Sequence, residues 1–278
     1  MSIDVLRRPW VLWSAFVAVH VWLIWLGVAV SPASLGDVSG VYSFWMKGLT
    51  SGDFIVGVTT AWVYPLMAIV PMWVATLAGP QNYVMAWLIM VTLLDIVAFA
   101  ILIHGRVAVS SGVASATPSR GVRALAAWWW TLALLALGPV ALGRIDSVVT
   151  PIAIVGLLYL ASRPALAGAL LAMGAWMKVW PGAIIVAAVI LLKKRMTILL
   201  GALVFTVAVV IVGLVAGAGA NLLSFLQFQG TRGLQIESPG ATGYLWAIVA
   251  GNPDVAIYFD GELLTYQISG PGTAVVSA

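Results

Sequence analysis

The sequence predicts an all-α fold, a polytopic transmembrane helical bundle. Apolar runs long enough to cross a bilayer recur along the chain, hydrophobic residue types make up 63% of it, and charged types make up only 8%. A soluble domain carries about 25% charged residues, whereas about 20 consecutive apolar residues suffice for one helical span. We therefore expect a single transmembrane domain over residues 1–278.

Seven apolar runs are the predicted spans. They are residues 9–30, 63–79, 83–104, 124–142, 147–161, 164–192 (with a split at 178–181 as an alternative) and 196–218. The mixed polar and aromatic segment 31–62 predicts an amphipathic outer loop after the first helix. The more polar segment 219–278 predicts a second outer segment.

Two basic clusters, Arg7–Arg8 and 193–195, are the expected cytoplasmic anchors. An odd number of crossings must then separate segment 31–62 from the second cluster. One arrangement uses each intervening run once and leaves Arg106, Arg120 and Arg123 outside. The other makes 63–79 re-entrant and 164–192 a hairpin, which places those arginines inside and both Asp146 and Lys178 outside. We prefer the second, because Pro65 and Pro71 interrupt the 63–79 run.

Composition excludes several kinds of site. The chain has no cysteine and only two histidines, so thiolate and histidine-rich metal sites are excluded. The basic residues are scattered, which does not favour nucleic-acid binding. No glycine-rich phosphate loop, metal-ligand cluster or nucleophilic triad is recognisable. We expect no metal and no cofactor.

Asp37 lies just beyond the first apolar run, at the outer rim of the hydrocarbon. A carboxylate there can act as a general base on a hydroxyl. An aspartate is equally a favoured N-cap for a helix that begins near Val38. Spacing leaves both interpretations open, and Asp53 has the same two.

Three other places hold polar residues in apolar or mixed surroundings. Lys178, near Pro181, could neutralise a phosphate or extend its side chain to the membrane interface. The segment 232–238 offers Arg232 for phosphate, and Gln235 and Glu237 for sugar hydroxyls, or is a solvated loop. Asp95 could pair with a cation of a neighbouring helix, and Arg144 with Asp146 adds charges to a short connection.

In chain order these pieces resemble a known family. They are Gly36-Asp37-Val38 with Tyr42 and Trp45, then Trp62-Val63-Tyr64-Pro65, Gly143 to Asp146, Ala167-Gly168 with Lys178 and Pro181, the basic run 193–195, and 232–238. Over about residues 7–270 the order is similar to that of the PimE-like polyprenyl-phosphate-mannose-dependent mannosyltransferases of glycosyltransferase family 87. The sequence departs from that family at Val63, Leu66 and Arg144, where the family often has Glu, Pro and Gln.

The resemblance implies a GT-C fold and an inverting transfer of a hexose, first of all mannose. The donor would be a polyprenyl-phosphate sugar, and the acceptor a glycolipid or glycan on the extracytoplasmic face of the cell membrane. Asp37 would be the catalytic base, and Arg232 or Lys178 would neutralise the leaving phosphate. The implied substrate-binding residues are Tyr42, Tyr64, Asp146, Lys178, Arg232, Gln235 and Glu237.

Family members are longer, so the resemblance also implies a C-terminally incomplete protein. Two other classes remain open from the residues alone. A transporter or flippase of a lipid-linked sugar also carries charges in its spans and broken helices, although no internal repeat is visible here. A non-catalytic membrane subunit is the third alternative.

Overall fold

The computed structural model describes residues 3–105, 109–110, 115–116, 119–230, 233–261, 263 and 265–277. Most of these residues are helical, which confirms the all-α class. The α-helices are α1 (Ile3–Leu6), α2 (Pro9–Trp25), α3 (Ser43–Ser51), α4 (Ile69–Thr76), α5 (Tyr83–His104), α6 (Arg120–Leu137), α7 (Asp146–Tyr159), α8 (Pro164–Ala175), α9 (Pro181–Leu191), α10 (Arg195–Val215), α11 (Ser224–Gly230), α12 (Thr242–Val249) and α13 (Thr273–Ser277). The strands are β1 (Val109–Ser110), β2 (Ser115–Ala116), β3 (Leu234–Gln235), β4 (Ala256–Asp260) and β5 (Thr265–Ser269).

Four continuous helical segments in the described part of the chain are long and apolar enough to cross a membrane. They are Pro9–Val30, Pro80–His104, Arg120–Leu142 and Arg195–Val215. The first segment extends α2 by a π-helical turn. The second and third extend α5 and α6 by 3-10 turns. Together these segments make the protein an integral membrane protein with several spans.

Other predicted spans take the form of shorter helices. The 164–192 run divides into α8 and α9, separated by the turn that holds Lys178. Pro181 begins α9, a position that needs no backbone N–H donor. The 63–79 run is helical only over Leu66–Thr76 and follows the extended Pro65. A helix of this length is too short to cross a bilayer.

Two cavities lie at opposite ends of the bundle. The segment Arg120–Leu142 is 23 residues long, and a helix rises about 1.5 Å per residue. Arg120 lines a cavity with Arg7 and Arg123, whereas Arg144, just beyond the other end, lines a cavity with Lys178. The second arrangement of spans likewise places Arg120 and Arg123 at one face of the membrane and Lys178 at the other. The side of the membrane on which each cavity lies remains a prediction.

A polar pair is buried between α2 and α5. The carbonyl of Phe16 accepts a hydrogen bond from His20 Nδ1 at 2.9 Å. His20 Nε2 lies 3.0 Å from Asp95 Oδ2, and both side chains are almost fully enclosed by protein. The sequence predicted a cation of a neighbouring helix as the partner of Asp95, and the structure shows that the partner is a histidine of the first span.

His20→Leu is expected to destabilise the bundle, because it leaves the Asp95 carboxyl buried without a partner. An unsatisfied buried polar group costs about 1–3 kcal/mol. The double variant His20→Leu/Asp95→Leu is expected to recover most of that loss, since apolar replacement of both partners is often nearly neutral. Thermal unfolding in detergent measures both variants and the single variant Asp95→Leu. A double variant as unstable as the sum of the two singles would contradict this role.

The helices α8 and α10 pack closely at two glycines. A Cβ on Gly168 of α8 would collide with the backbone of Ile198, and one on Gly201 of α10 with the backbone of Ala165. Small residues allow membrane helices to approach in this way. The first turns of α8 are consequently held close against α10.

The segment after α10 contains a small antiparallel sheet with strand order β3-β5-β4. Gln235 pairs with Gln267, and Ile257 pairs with Ile268. Leu234 and Ile268 form a small separate core with Ala241. The sequence predicted an outer segment here but gave no indication of strands. The sheet places Gln235 and Glu237 against the transmembrane bundle.

Candidate active site

Asp37 begins a wide helical turn, Asp37–Tyr42, that leads into α3. Gly36 occupies the capping position, and the described residues provide no side-chain cap there. The carboxylate instead accepts a hydrogen bond from Arg144 Nη1 at 2.5 Å. Tyr42 Oη donates a long hydrogen bond of 3.5 Å to the same oxygen, Oδ2. Asp37 is therefore not the N-cap of this helical turn.

Arg144 joins two carboxylates from distant parts of the chain. Its Nη1 pairs with Asp37, and its Nη2 pairs with Glu237 of the segment after α10. Burial opposes the charge of the guanidinium, but Asp37 and then Glu237 outweigh it, and the pKa of Arg144 is raised above its ordinary value. Arg144 therefore stays a cation and links the segment after α10 to the segment between α2 and α3.

Gly143 allows the turn before Arg144 to approach the segment between α2 and α3. A Cβ at this position would lie 2.7 Å from the carbonyl oxygen of Ser34. No side chain fits at that distance without a shift of the backbone. The glycine of the 143–146 element thus serves to bring Arg144 within reach of Asp37.

Tyr42 lies beneath Asp37 rather than in the cavity. Its ring is fully buried, and its Oη accepts a hydrogen bond from the backbone N–H of Ile145 at 3.0 Å. Burial raises its pKa well above the ordinary value, and the nearby Tyr64 and Asp37 raise it further. A neutral Tyr42 can donate to Asp37 while it holds the turn at Ile145. Tyr42 itself is not among the residues that line the cavity beside Asp37.

A second ion pair faces the same space. Lys178 Nζ lies 2.9 Å from Asp146 Oδ2, and Trp180 Nε1 donates to the other oxygen of Asp146 at 3.0 Å. The ammonium also lies 5.6 Å from the centroid of the Tyr64 ring, a distance that allows a cation–π interaction. Asp146 begins α7 and Lys178 precedes α9, so two helix ends present this pair.

These groups line one cavity of about 280 Å³. Its polar lining consists of Asp37, Tyr64, Arg144, Asp146, Lys178, Gln235, Glu237 and Thr265. It shares Asp37, Arg144 and Glu237 with an adjoining cavity of about 510 Å³. The two volumes together are in the range of small-molecule sites. Three carboxylates and two cations of the described residues thus surround one space.

Aromatic rings form one wall of the smaller cavity. Trp45 and Tyr64 line it directly, with their ring centroids 5.8 Å apart and their planes perpendicular. Trp62 packs edge-on against Tyr64 at 5.6 Å. Its backbone N–H donates to Ser224 Oγ at 2.8 Å, which anchors the wall to α11. A rigid aromatic wall of this kind suits the apolar face of a sugar ring.

Six of the eight predicted site residues line the cavity: Asp37, Tyr64, Asp146, Lys178, Gln235 and Glu237. Tyr42 lies below it, and Arg232 lies outside the described residues. Sequence reasoning did not assign Arg144, Trp180 or Thr265 to the site. The charge of Arg144 within an apolar stretch was the one available signal. Within the described chain, no group of three or more His, Cys, Asp or Glu side chains could hold a metal ion.

The sequence model of glycosyltransferase family 87 matches residues 62–252. This match spans well over half of the chain. The chain belongs to glycosyltransferase family 87. The matched segment of this membrane-integral glycosyltransferase begins after Asp37 and Tyr42 but includes every other described residue predicted for its site. No curated protein and no solved structure matches the chain.

Proposed function

We propose that this glycosyltransferase moves a hexose, mannose in the first instance, from a polyprenyl-phosphate donor to a glycolipid or glycan. The enzyme is of the PimE-like kind and has the GT-C architecture. Its site faces the extracytoplasmic side of the cell membrane. The observation that supports the proposal best is the shared cavity of Asp37 and Lys178, which offers a carboxylate for a hydroxyl and an ammonium for a phosphate.

The reaction is a single displacement with inversion. The acceptor oxygen forms a bond to the anomeric carbon as its proton passes to Asp37. The bond between that carbon and the phosphate oxygen breaks, and the polyprenyl phosphate leaves with the electron pair. A fixed cation beside the leaving oxygen stabilises the developing charge. Lys178 is the described residue proposed for this role, and Arg232 the further candidate.

Arg144 directs which oxygen of Asp37 acts as the base. Its guanidinium occupies Oδ2, whereas among the described residues Oδ1 accepts no hydrogen bond. The acceptor hydroxyl is expected to approach Oδ1. Tyr64 and Trp45 support the sugar, and Gln235 with Glu237 contacts hydroxyls from the outer segment.

A transfer assay tests the proposal. The full chain in lipid nanodiscs is mixed with polyprenyl-phosphate mannose, labelled in the sugar, and with a membrane glycolipid extract. Label is expected in a new glycolipid, and a nucleotide-linked mannose is expected to give none. Label that crosses the bilayer of a vesicle while still attached to the polyprenyl phosphate would instead indicate a flippase.

Cysteine labelling tests the proposed sidedness. The chain has no cysteine, so Ser51→Cys, Ser269→Cys and Lys193→Cys each introduce a single reactive thiol. All three positions are exposed. An impermeant reagent added outside cells is expected to label the first two variants and to spare Lys193→Cys. Labelling of the first two from opposite sides of the membrane would contradict the proposed topology.

A further inference from the structure

The cavity at the end of the bundle away from Asp37 has a volume of about 320 Å³. Its polar lining consists of Arg7, His104, Arg120 and Arg123. Arg7 precedes α2, His104 ends α5, and the other two arginines lie in the first turn of α6. Three span ends therefore bring basic side chains to one point.

The side chains are arranged by specific contacts. The Cζ of Arg7 lies 3.6 Å from the position that a Cβ on Gly121 would take, so its guanidinium rests on the first turn of α6. Arg123 Nη1 reaches the carbonyl of Ile103 at 3.5 Å. His104 Nε2 accepts a hydrogen bond from Trp13 Nε1 at 3.1 Å. The neutral ring then carries its proton on Nδ1, where it is available as a donor.

Within the described part of the chain, no acidic side chain lines this cavity. Among the described residues, none of the three arginines forms an ion pair with a carboxylate. The stretch 105–119, which joins α5 to α6, contains no Asp or Glu in the sequence. Asp4 is the one acidic residue before Asp37, and it does not line the cavity.

Three guanidiniums around one cavity repel one another unless an anion lies between them. The N-terminal ends of α2 and α6 add a favourable field for negative charge at the same place. Arginine presents paired N–H donors that match phosphate oxygens. Pro9, Leu12, Ile103 and Ala124 complete the lining, so an apolar surface continues from the arginines towards the spans.

We propose that this cavity binds a phosphate group, carried by the head group of an anionic membrane lipid. The arginines and His104 hold the phosphate, and the acyl chains follow the apolar lining between α2 and α6. Basic pockets between spans at a cytoplasmic membrane face are known sites for anionic lipid heads. The site is independent of the sugar-transfer site and does not rest on the proposed function.

Thermal unfolding of the full chain in neutral detergent tests the site. Phosphatidylglycerol, phosphatidylcholine and glycerol phosphate are added separately to wild type, to Arg120→Gln/Arg123→Gln and to Lys193→Gln/Arg195→Gln. The last variant loses the same charge at exposed positions outside the cavity. Phosphatidylglycerol is expected to raise the unfolding temperature of wild type and of this control, because a ligand that binds only the folded state stabilises it.

The cavity variant is expected to bind phosphatidylglycerol at least about tenfold more weakly. Loss of one hydrogen bond between charged groups lowers an affinity by about this factor. If that variant does not fold, Arg7→Gln is used in its place. A shift by glycerol phosphate alone supports the phosphate site with a soluble ligand as the source. Equal shifts in the cavity and control variants, or equal shifts by the two lipids, would overturn the proposal.

Discussion

Asp37→Asn is expected to reduce sugar transfer by about 10²–10⁴-fold, the usual contribution of a general base. The amide keeps the size of the side chain and its contact with Tyr42 but cannot take the acceptor proton. The ion pair with Arg144 is partly exposed, and such pairs contribute about 0–1 kcal/mol. Unfolding temperature should therefore change little. Initial rates with labelled polyprenyl-phosphate mannose measure the effect.

Asp53→Asn is the matched control for this change. Asp53 is exposed, accepts a hydrogen bond from Ser51 Oγ at 2.6 Å and does not line either cavity of the candidate site. Its substitution is expected to leave the rate within a few-fold of wild type. If Asp53→Asn abolishes transfer and Asp37→Asn does not, Asp53 is the base. If both variants keep the wild-type transfer rate, neither aspartate is the base.

Lys178→Met is expected to reduce the transfer rate by about 10²–10³-fold, the scale found when one stabilising group of a transition state is removed. Methionine fills similar space, but the leaving phosphate then loses its cation and Asp146 loses its partner. Lys178→Arg restores the charge and should recover part of the rate. Steady-state kinetics should show the loss mainly in kcat, since the charge on the leaving oxygen develops in the transition state.

Lys47→Met serves as the control for loss of a lysine. Lys47 is exposed on α3 and lies outside the candidate site. The substitution should leave kcat and KM unchanged. A Lys178→Met enzyme that keeps its rate and its donor affinity would show that Lys178 serves only to pair with Asp146.

Hydropathy predicted most of the fold because a bilayer demands long apolar helices. It could not distinguish a complete crossing from a shorter apolar helix such as Leu66–Thr76, since composition is alike in both. The sheet around Gln235 was missed for a different reason. Its first strand, β3, pairs with a strand more than 30 residues further along the chain (Gln235 with Gln267). The sheet also buries few side chains, so no strong alternation marks the strands in the sequence.

The site was predicted as a set of residues but not as a network. Asp37 and Arg144 are 107 positions apart, and their contact depends on a turn that Gly143 permits. Spacing along the chain cannot reveal such a contact. Tyr42 was placed at the substrate by resemblance, yet the wide turn over Asp37–Tyr42 sets its ring beneath the carboxylate. A helical turn with five-residue spacing is common at functional sites but is not predictable from composition.

The decisive experiment is a structure of the full chain with a non-hydrolysable polyprenyl-phosphate sugar bound. The proposed reaction predicts a phosphate oxygen about 2.7–2.9 Å from Lys178 Nζ, the distance of a charge-assisted hydrogen bond. It also predicts the sugar against Tyr64, with its anomeric carbon open to a hydroxyl at Asp37. A phosphate bound away from Lys178, for example among Arg7, Arg120 and Arg123, with the Asp37 cavity empty, would contradict it.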